Sequence, residues 1–149
     1  MEKPRVLVAD DNEATCTLVR ALLQNEFIID VVSDGNEAIE VLRNRQYAAI
    51  LLDLLMPIAD GFAVLEFLER ERPDLLRRVI VVTAALAPRE MQRARAYPTC
   101  AVIAKPFDVD ELLTVVRQCA ALNEPHFPGP LLSGSMFLLL AADLLRHVR

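Results

Sequence analysis

The sequence predicts an α/β fold with a doubly wound parallel sheet. Five short apolar runs alternate with stretches in which large apolar residues recur at helical spacing. Parallel strands covered on both faces are apolar throughout, and right-handed crossovers place the intervening helices on both faces of the sheet. With 149 residues, 54% of them hydrophobic and 25% charged, the chain can bury the core that such a fold needs.

The strands are predicted from the apolar runs. They cover residues 5–9, 27–32, 47–53, 79–83 and 101–104. The first, third and fifth strands contain the runs Val6-Leu7-Val8-Ala9, Ile50-Leu51-Leu52 and Val102-Ile103-Ala104. Because helix-like stretches separate these runs, they are typical of the buried strands of a parallel sheet.

The helices are predicted between and after the strands, at residues 13–25, 35–45, 60–72, 88–97 and 108–121. Apolar residues recur at helical spacing in the first and the last of them, namely Leu18, Val19, Leu22 and Leu23, and Leu112, Leu113 and Val116. Gly35 and Gly61 come early in the second and third helices, where the chain must turn tightly.

The fourth predicted helix differs from the others in composition. It begins with Pro88, which suits the first helical position because its missing N–H would have no partner there. It is poor in large apolar residues, and its charged residues are Arg89, Glu90, Arg93 and Arg95. We therefore expect this helix to be loosely held and exposed.

Charge and cysteine content limit the function classes. The net charge of −5 gives no reason to expect direct nucleic-acid binding, which usually needs a basic surface. Cys16, Cys100 and Cys119 are odd in number and lack CxxC spacing, so they fit reduced thiols better than a disulfide framework or a zinc site. Met1-Glu2-Lys3-Pro4 leads directly into the first strand without a signal peptide. We therefore expect a cytoplasmic protein.

Charged residues follow three of the apolar runs. Asp10 and Asp11 follow the first run, Asp53 follows the third, and Lys105 follows the fifth. The carboxyl ends of parallel strands meet at one edge of the sheet, where α/β proteins place their ligand sites. Three carboxylates at close range repel one another unless a divalent cation lies between them. The pattern predicts a magnesium-dependent site that handles a phosphoryl group.

Several motifs resemble the receiver domain of two-component response regulators, the CheY-like superfamily. The matching stretches are VLVADDN (6–12), SDGNEAIEVL (33–42), ILLDLLMPIADGFAVL (50–65), VIVVTA (79–84) and AKPF (104–107). The match extends over residues 4–121, about four-fifths of the chain, and its order and separations agree with the family. Each motif is weak alone, but the joint pattern is specific. The resemblance implies a flavodoxin-like, five-stranded sheet of strand order 2-1-3-4-5.

The resemblance also implies a phosphoacceptor and a metal site. Asp53 would accept a phosphoryl group from a phosphohistidine and form a mixed anhydride. Asp10, Asp11, Asp53 and the backbone carbonyl of Leu55 would bind Mg²⁺. Taken alone, Asp53 is explained equally well as a solvated strand end or a helix cap, and the acidic pair as a favourable charge at a helix N-terminus. Met56-Pro57 at the family's spacing favours the acceptor role.

Two further residues complete the implied site. The hydroxyl of Thr83 would bond a phosphoryl oxygen, although a threonine in a strand is ordinary by propensity. Lys105 would neutralise charge on the transferred group, although a lone lysine is usually a solvated surface charge. By the same resemblance, a cis peptide bond would precede Pro106 and direct the lysine into the cleft.

The sequence departs from the family pattern at two positions. Val102 stands three residues before Lys105, where the family commonly has the phenylalanine or tyrosine that swings inward on activation. An output switch would then depend on backbone shifts of the fourth helix, because Tyr97, the nearest aromatic residue, is a poor substitute. Leu55 replaces the polar side chain that is frequent two residues past the acceptor.

Three functions are compatible with these residues. The favoured one is a phosphorylation-dependent switch that catalyses only its own phosphorylation and dephosphorylation. Its partners would be a sensor histidine kinase or phosphotransfer protein and a downstream protein bound through the fourth helix, fifth strand and fifth helix, a face that could also form a homodimer. The alternative is an interaction module that works without phosphorylation. A phosphatase of the haloacid dehalogenase type is disfavoured, because it needs a second aspartate at the position of Leu55.

The chain is predicted to have three parts. A receiver domain covers residues 4–121, a Pro/Gly/Ser-rich linker covers 122–135 and an apolar C-terminal helix covers 136–149. The uninterrupted apolar run of that last part is far shorter than the ~20 residues that span a bilayer, so we expect no membrane insertion.

The C-terminal part has three alternative roles. It could pack on the receiver's own output face, pair with the same segment of another subunit, or be a partly ordered junction. We expect a helix over 136–148 that buries four large residues against protein, namely Phe137, Leu140, Leu144 and Leu145.

Overall fold

The chain folds around a five-stranded parallel sheet in a computed structural model that describes residues 2–84 and 86–122. The strands are β1 (Arg5–Ala9), β2 (Ile28–Val32), β3 (Ala49–Leu52), β4 (Val79–Thr83) and β5 (Ala101–Ala104). Their order in the sheet is β2-β1-β3-β4-β5, and every neighbouring pair is parallel. The predicted strand order 2-1-3-4-5 is therefore confirmed.

Six helices are described around the sheet. They are α1 (Glu13–Leu23), α2 (Gly35–Asn44), α3 (Gly61–Glu71), α4 (Pro73–Leu76), α5 (Pro88–Arg95) and α6 (Val109–Leu122). The short α4 was not predicted. It starts at a proline directly after Arg72, the C-cap of α3, and its four residues are too few to show a helical period.

Helices cover both faces of the sheet. Leu7 and Ala9 of β1 pack with the buried sides of α2 and α3. Val6 and Val8, which point to the opposite face, pack with α1 and α6. The alternation explains why the strands are continuous apolar runs, and it makes the fold doubly wound, as predicted.

Side-chain caps fix where four helices begin. The carboxylate or amide oxygens accept backbone N–H groups from the first turns of α1, α2, α3 and α6; the capping residues are Asn12, Asp34, Asp60 and Asp108. These caps explain why α3 and α6 start one residue later than predicted.

Some predicted boundaries were wrong. The third strand covers Ala49–Leu52 rather than 47–53, because apolar composition does not mark where the strand ladder stops. The first helix ends at Leu23, and a turn follows it. Leu18 is 42% exposed, since α1 turns Cys16 and Val19 toward the core instead.

The linker at 122–135 and the apolar helix at 136–149 lie outside the described residues except for Leu122, which ends α6. The three-part division of the chain therefore stays a prediction. Across residues 2–84 and 86–122, each helix is too short or too polar to cross a membrane.

Candidate functional site

The strand ends bring the predicted site residues to one edge of the sheet. Asp10 follows β1, Asp53 follows β3 and Lys105 follows β5. Hydrogen bonding continues one residue past the strands: the Asp53 N–H donates to the Ala9 carbonyl at 2.9 Å. The Lys105 N–H donates likewise to the Thr83 carbonyl at 2.8 Å. The backbone at each site residue is thus held by the neighbouring strand, which fixes the direction of its side chain.

Three carboxylates meet at this edge. Asp10, Asp11 and Asp53 each offer an oxygen atom, and these atoms lie within 4.8 Å of one another. Asp10 and Asp53 are buried, whereas Asp11 is exposed. Carboxylate oxygens are the hard ligands that Mg²⁺ prefers, and Mg²⁺ needs only one or two of them besides water and phosphate oxygens. The donor set is therefore compatible with Mg²⁺.

Lys105 lies against two of these carboxylates. Its Nζ is 2.7 Å from Oδ2 of Asp10 and 3.1 Å from Oδ2 of Asp53. Burial lowers the pKa of Lys105, but the hydrogen bonds and the negative charges of Asp10 and Asp53 together raise it by more, so the net shift is upward. The lysine therefore stays charged at neutral pH and partly offsets the charge of the acidic cluster. The peptide bond between Lys105 and Pro106 is cis.

Asp53 is surrounded by hydrogen-bond donors. Its Oδ1 accepts the hydroxyl of Thr83 at 3.0 Å and the backbone N–H of Leu55 at 3.0 Å. Its Oδ2 accepts from Lys105. The side chain is almost enclosed, with the residue 6% exposed and Thr83 fully buried. Such a carboxylate is held in one orientation, as a nucleophile that must meet its substrate in line needs to be.

Two glycines hold the loop that follows Asp53. The Gly35 N–H donates to the Ala59 carbonyl at 2.9 Å, and the Gly61 N–H donates to the Leu54 carbonyl at 3.0 Å. A Cβ on Gly35 would collide with the Ala59 carbonyl, and one on Gly61 with the Asp53 carbonyl. The sequence predicted tight turns at both glycines. It did not reveal that both also let a helix N-terminus approach this loop closely.

An open cleft of about 580 Å³ lies beside the acidic cluster. Asp10 and Asp11 form one side of it, and α1 contributes Arg20 to its lining. On the other side the cleft is lined by the end of β2 and by Glu37 of α2. Solvent therefore reaches the cluster from the α1 side.

The family model of the response regulator receiver domain matches residues 6–117. The chain belongs to this receiver domain family. The predicted resemblance is confirmed, and the acidic cluster occurs at the edge of a fold that serves two-component signalling. Receiver domains of this kind generally act as signalling switches rather than as metabolic enzymes.

Curated relatives and solved receiver structures agree with this assignment. The transcriptional regulatory protein TcrA of Mycobacterium tuberculosis is 30% identical over 135 residues, which cover 90% of this chain and 53% of TcrA. The response regulator MprA of Mycobacterium sp. strain KMS is 31% identical over 140 residues, 93% of this chain and 60% of MprA. The chain thus spans a little more than half the length of these relatives.

The non-phosphorylated HemR receiver domain of Leptospira biflexa superimposes with a TM-score of 0.72 at 28% identity. The superposition covers 84% of this chain and all of that one, 100%. The fold of the described residues is therefore that of a whole receiver domain.

The receiver carries an unusual apolar loop beside its site. Leu55 is 51% exposed and Ile58 is 81% exposed. Ile58 also has a φ of 69°, in the left-handed region that β-branched residues rarely adopt. This conformation could not be predicted from the sequence, since an isoleucine is not a residue expected at positive φ.

The helix α5, on the face expected to carry the receiver's output, is mostly exposed. Ala94 is the buried residue of α5, in agreement with the predicted exposure of this helix. Arg93 joins α5 to α3, with its guanidinium 2.8 Å from Glu66 and 4.1 Å from the centre of the Phe62 ring. Val102 and Tyr97 are half-buried against the core cluster on the side of α3.

Proposed function

We propose that this receiver is a phosphorylation-dependent switch that accepts a phosphoryl group on Asp53. One observation supports the proposal most strongly: Asp53 lies in a cluster with Asp10 and Asp11 while Lys105 and Thr83 donate to its two oxygens. A cap or a solvated strand end needs neither a second and third carboxylate nor a half-buried cation.

In the proposed phosphoryl transfer, one O–P bond forms and one P–N bond breaks. A carboxylate oxygen of Asp53 attacks the phosphorus of a phosphohistidine, the P–N bond breaks, and its electron pair stays on the imidazole nitrogen. The product is an acyl phosphate on Asp53. Attack of water on that phosphorus later releases inorganic phosphate and restores the carboxylate, which makes the modification reversible.

Asp10, Asp11, Asp53 and the backbone carbonyl of Leu55 would hold Mg²⁺. Bound there, the ion supplies positive charge against the phosphoryl oxygens. Lys105 supplies a second positive charge from the side of β5. Thr83 would exchange its present hydrogen bond to Asp53 for one to a phosphoryl oxygen.

Acetyl phosphate tests the proposal without a protein donor. The intact mass of the chain is measured after incubation with acetyl phosphate and Mg²⁺, for the wild type and for Asp53→Asn. A single phosphate adduct on the wild type that is absent from the variant is the expected result. Lack of any adduct would favour the alternative, an interaction module independent of phosphorylation, and turnover without an adduct would favour a phosphatase.

The partners follow from the same proposal. A sensor histidine kinase or a phosphotransfer protein would supply the phosphoryl group, in a cytoplasmic compartment that keeps the three thiols reduced. A downstream protein, or a second copy of the chain, would bind the face of α5, β5 and α6. A pull-down that compares the beryllofluoride-treated chain with the untreated chain tests this, because beryllofluoride mimics the acyl phosphate. Equal capture in both states would contradict a phosphorylation-dependent partner.

A further inference from the structure

Two cysteines lie together at the edge of the sheet opposite the acidic cluster. Cys100 immediately precedes β5, and its N–H donates to the Val79 carbonyl at 2.7 Å. Cys119 lies on α6, and its thiol donates to the carbonyl of the adjacent residue, Arg78, at 3.5 Å. Both side chains belong to the same packed layer, and their thiols are hydrogen-bonded to each other.

The two sulfur atoms differ in accessibility. Cys100 is half-buried, whereas Cys119 is completely buried. The side-chain hydrogen bond that Cys100 shares with Cys119 lowers the pKa of the Cys100 thiol and outweighs the opposing effect of burial. A partly exposed thiol with a lowered pKa is the kind that reacts with oxidants, and a neighbouring thiol is what resolves its first oxidation product.

Cys16 has the opposite character. It is buried on α1, its thiol donates to the Asp10 carbonyl at 3.3 Å, and burial together with the Asp10 charge raises its pKa. A thiol of this kind is unreactive. The chain therefore contains its own matched control for the reactivity of Cys100.

We propose that Cys100 and Cys119 form a peroxide-sensitive thiol pair, in which Cys100 is oxidised first and Cys119 closes an intrachain disulfide. The Cys100 sulfur attacks a peroxide oxygen, the O–O bond breaks, and Cys100 becomes a sulfenic acid with release of water. The Cys119 sulfur then attacks the Cys100 sulfur, the S–O bond breaks, and a second water leaves. Two thiols and one hydrogen peroxide thus give one disulfide and two waters.

The disulfide would connect the start of β5 to α6. Both elements belong to the face proposed for the downstream partner. The phosphorylation site is at the other end of β5, roughly 16 Å away at 3.3 Å per strand residue. Oxidation would therefore act on the output face without touching the carboxylates, and it does not depend on the proposed phosphorylation.

The test treats the reduced, folded chain with a modest excess of hydrogen peroxide and measures its intact mass without reductant. The wild type is expected to lose two hydrogen atoms, peptide mapping is expected to link residues 100 and 119, and dithiothreitol is expected to reverse the change. Cys16→Ser should form the same link. Cys100→Ser should lose it completely, and Cys119→Ala should leave Cys100 as a sulfenic acid that dimedone traps.

Three results would overturn the proposal. They are oxidation of Cys100 beyond the sulfenic acid in the wild type with no internal link, a link between two chains instead of within one, and a wild-type mass that peroxide does not change. Cys119→Ala keeps an apolar side chain in the core, and circular dichroism verifies its fold. Should that variant fail to fold, Cys100→Ser and the mapped wild-type link decide the matter.

Discussion

The ammonium of Lys105 lies 3.1 Å from Oδ2 of Asp53, although the two residues are far apart in the sequence. The same ammonium also contacts Asp10, so one cation serves two of the three carboxylates that would hold Mg²⁺. Lys105 must therefore have two effects of opposite sign. It competes with a metal ion for the carboxylates, and it offers charge to the phosphoryl group that arrives at Asp53.

Replacement of Lys105 by methionine separates these effects. We expect Lys105→Met to bind Mg²⁺ several-fold more tightly, because Asp10 and Asp53 lose a competing cation. The initial rate of phosphorylation by acetyl phosphate should fall by a factor on the order of ten or more, because the transferred group loses its charge partner. Isothermal titration calorimetry and intact mass measure the two quantities. Lys105→Arg keeps the positive charge, so its Mg²⁺ affinity and its phosphorylation rate should lie between those of the wild type and of Lys105→Met. An unchanged affinity for Mg²⁺ in Lys105→Met would contradict the proposed competition between the lysine and the metal ion.

Gly61 is expected to tolerate no side chain. A Cβ at this position would meet the Asp53 carbonyl and the Cα of Leu54, which are backbone atoms that cannot rotate away. Gly61→Ala should lower the free energy of unfolding by about 1–3 kcal/mol, as overpacking does. Urea denaturation measures the loss. Asn36→Ala, at an exposed position in the first turn of α2, is the control and should stay within about 0.5 kcal/mol of the wild type. Equal free energies of unfolding for the two variants would show that the loop after Asp53 shifts to accommodate a Cβ at position 61 at little cost.

Ile58 offers a gain in stability. Its left-handed backbone costs a β-branched residue about 1–2 kcal/mol, and an exposed side chain has little burial to lose. Asparagine adopts this conformation more readily, so Ile58→Asn should raise the free energy of unfolding by up to about 1 kcal/mol. Ile58→Val retains the branched Cβ and should bring no gain. A urea midpoint for Ile58→Asn at or below that of Ile58→Val would be the contrary outcome.

The raised pKa of Tyr47 predicts how the free energy of unfolding changes at alkaline pH. Burial, with a 2.9 Å hydrogen bond from its hydroxyl to Asp30, raises the pKa of Tyr47 to about 12 from an ordinary value of about 10. The folded state therefore holds this proton more tightly than the unfolded state does. The stabilisation is complete below about pH 10 and is lost as the pH rises through about 12.

Tyr47→Phe tests this dependence, because the variant shares every other titrating group. Near pH 8 it should be less stable than the wild type by about 1 kcal/mol, the usual net value of one hydrogen bond. Urea denaturation near pH 11 should show a smaller difference, since only the wild type has a phenol to ionise at position 47, whereas Tyr97 is common to both proteins. A difference that stays constant between the two pH values would mean that Tyr47 titrates normally.

The sequence alone was sufficient to predict the parallel sheet and to place the main candidate site residues at one edge of it. Asp53 and Lys105 could be placed together because each follows an apolar run, and the ends of parallel strands share one edge. The repulsion between three nearby carboxylates then indicated that such a cluster binds a divalent cation. These inferences depend on local composition and on a topological rule, both of which a single sequence contains.

The remaining features depend on contacts between distant segments. The close approach of Gly61 to the Asp53 carbonyl exists only because α3 begins against the loop that follows β3. The positive φ of Ile58 is imposed by a loop that is held at both ends. The pairing of Cys100 with Cys119 requires β5 and α6 to pack together, and no spacing rule indicates it. Composition and periodicity describe single elements, so they cannot show such contacts.

The most direct test of the central claim is to locate the phosphoryl group. The chain is phosphorylated with acetyl phosphate and Mg²⁺ and then reduced with borohydride, which converts an aspartyl phosphate to homoserine. Peptide mass spectrometry then identifies the converted residue. The proposed site predicts homoserine at position 53 and at neither position 10 nor position 11. Conversion at either of those two positions, or a stable phosphate adduct that borohydride leaves intact, would contradict the role proposed for Asp53.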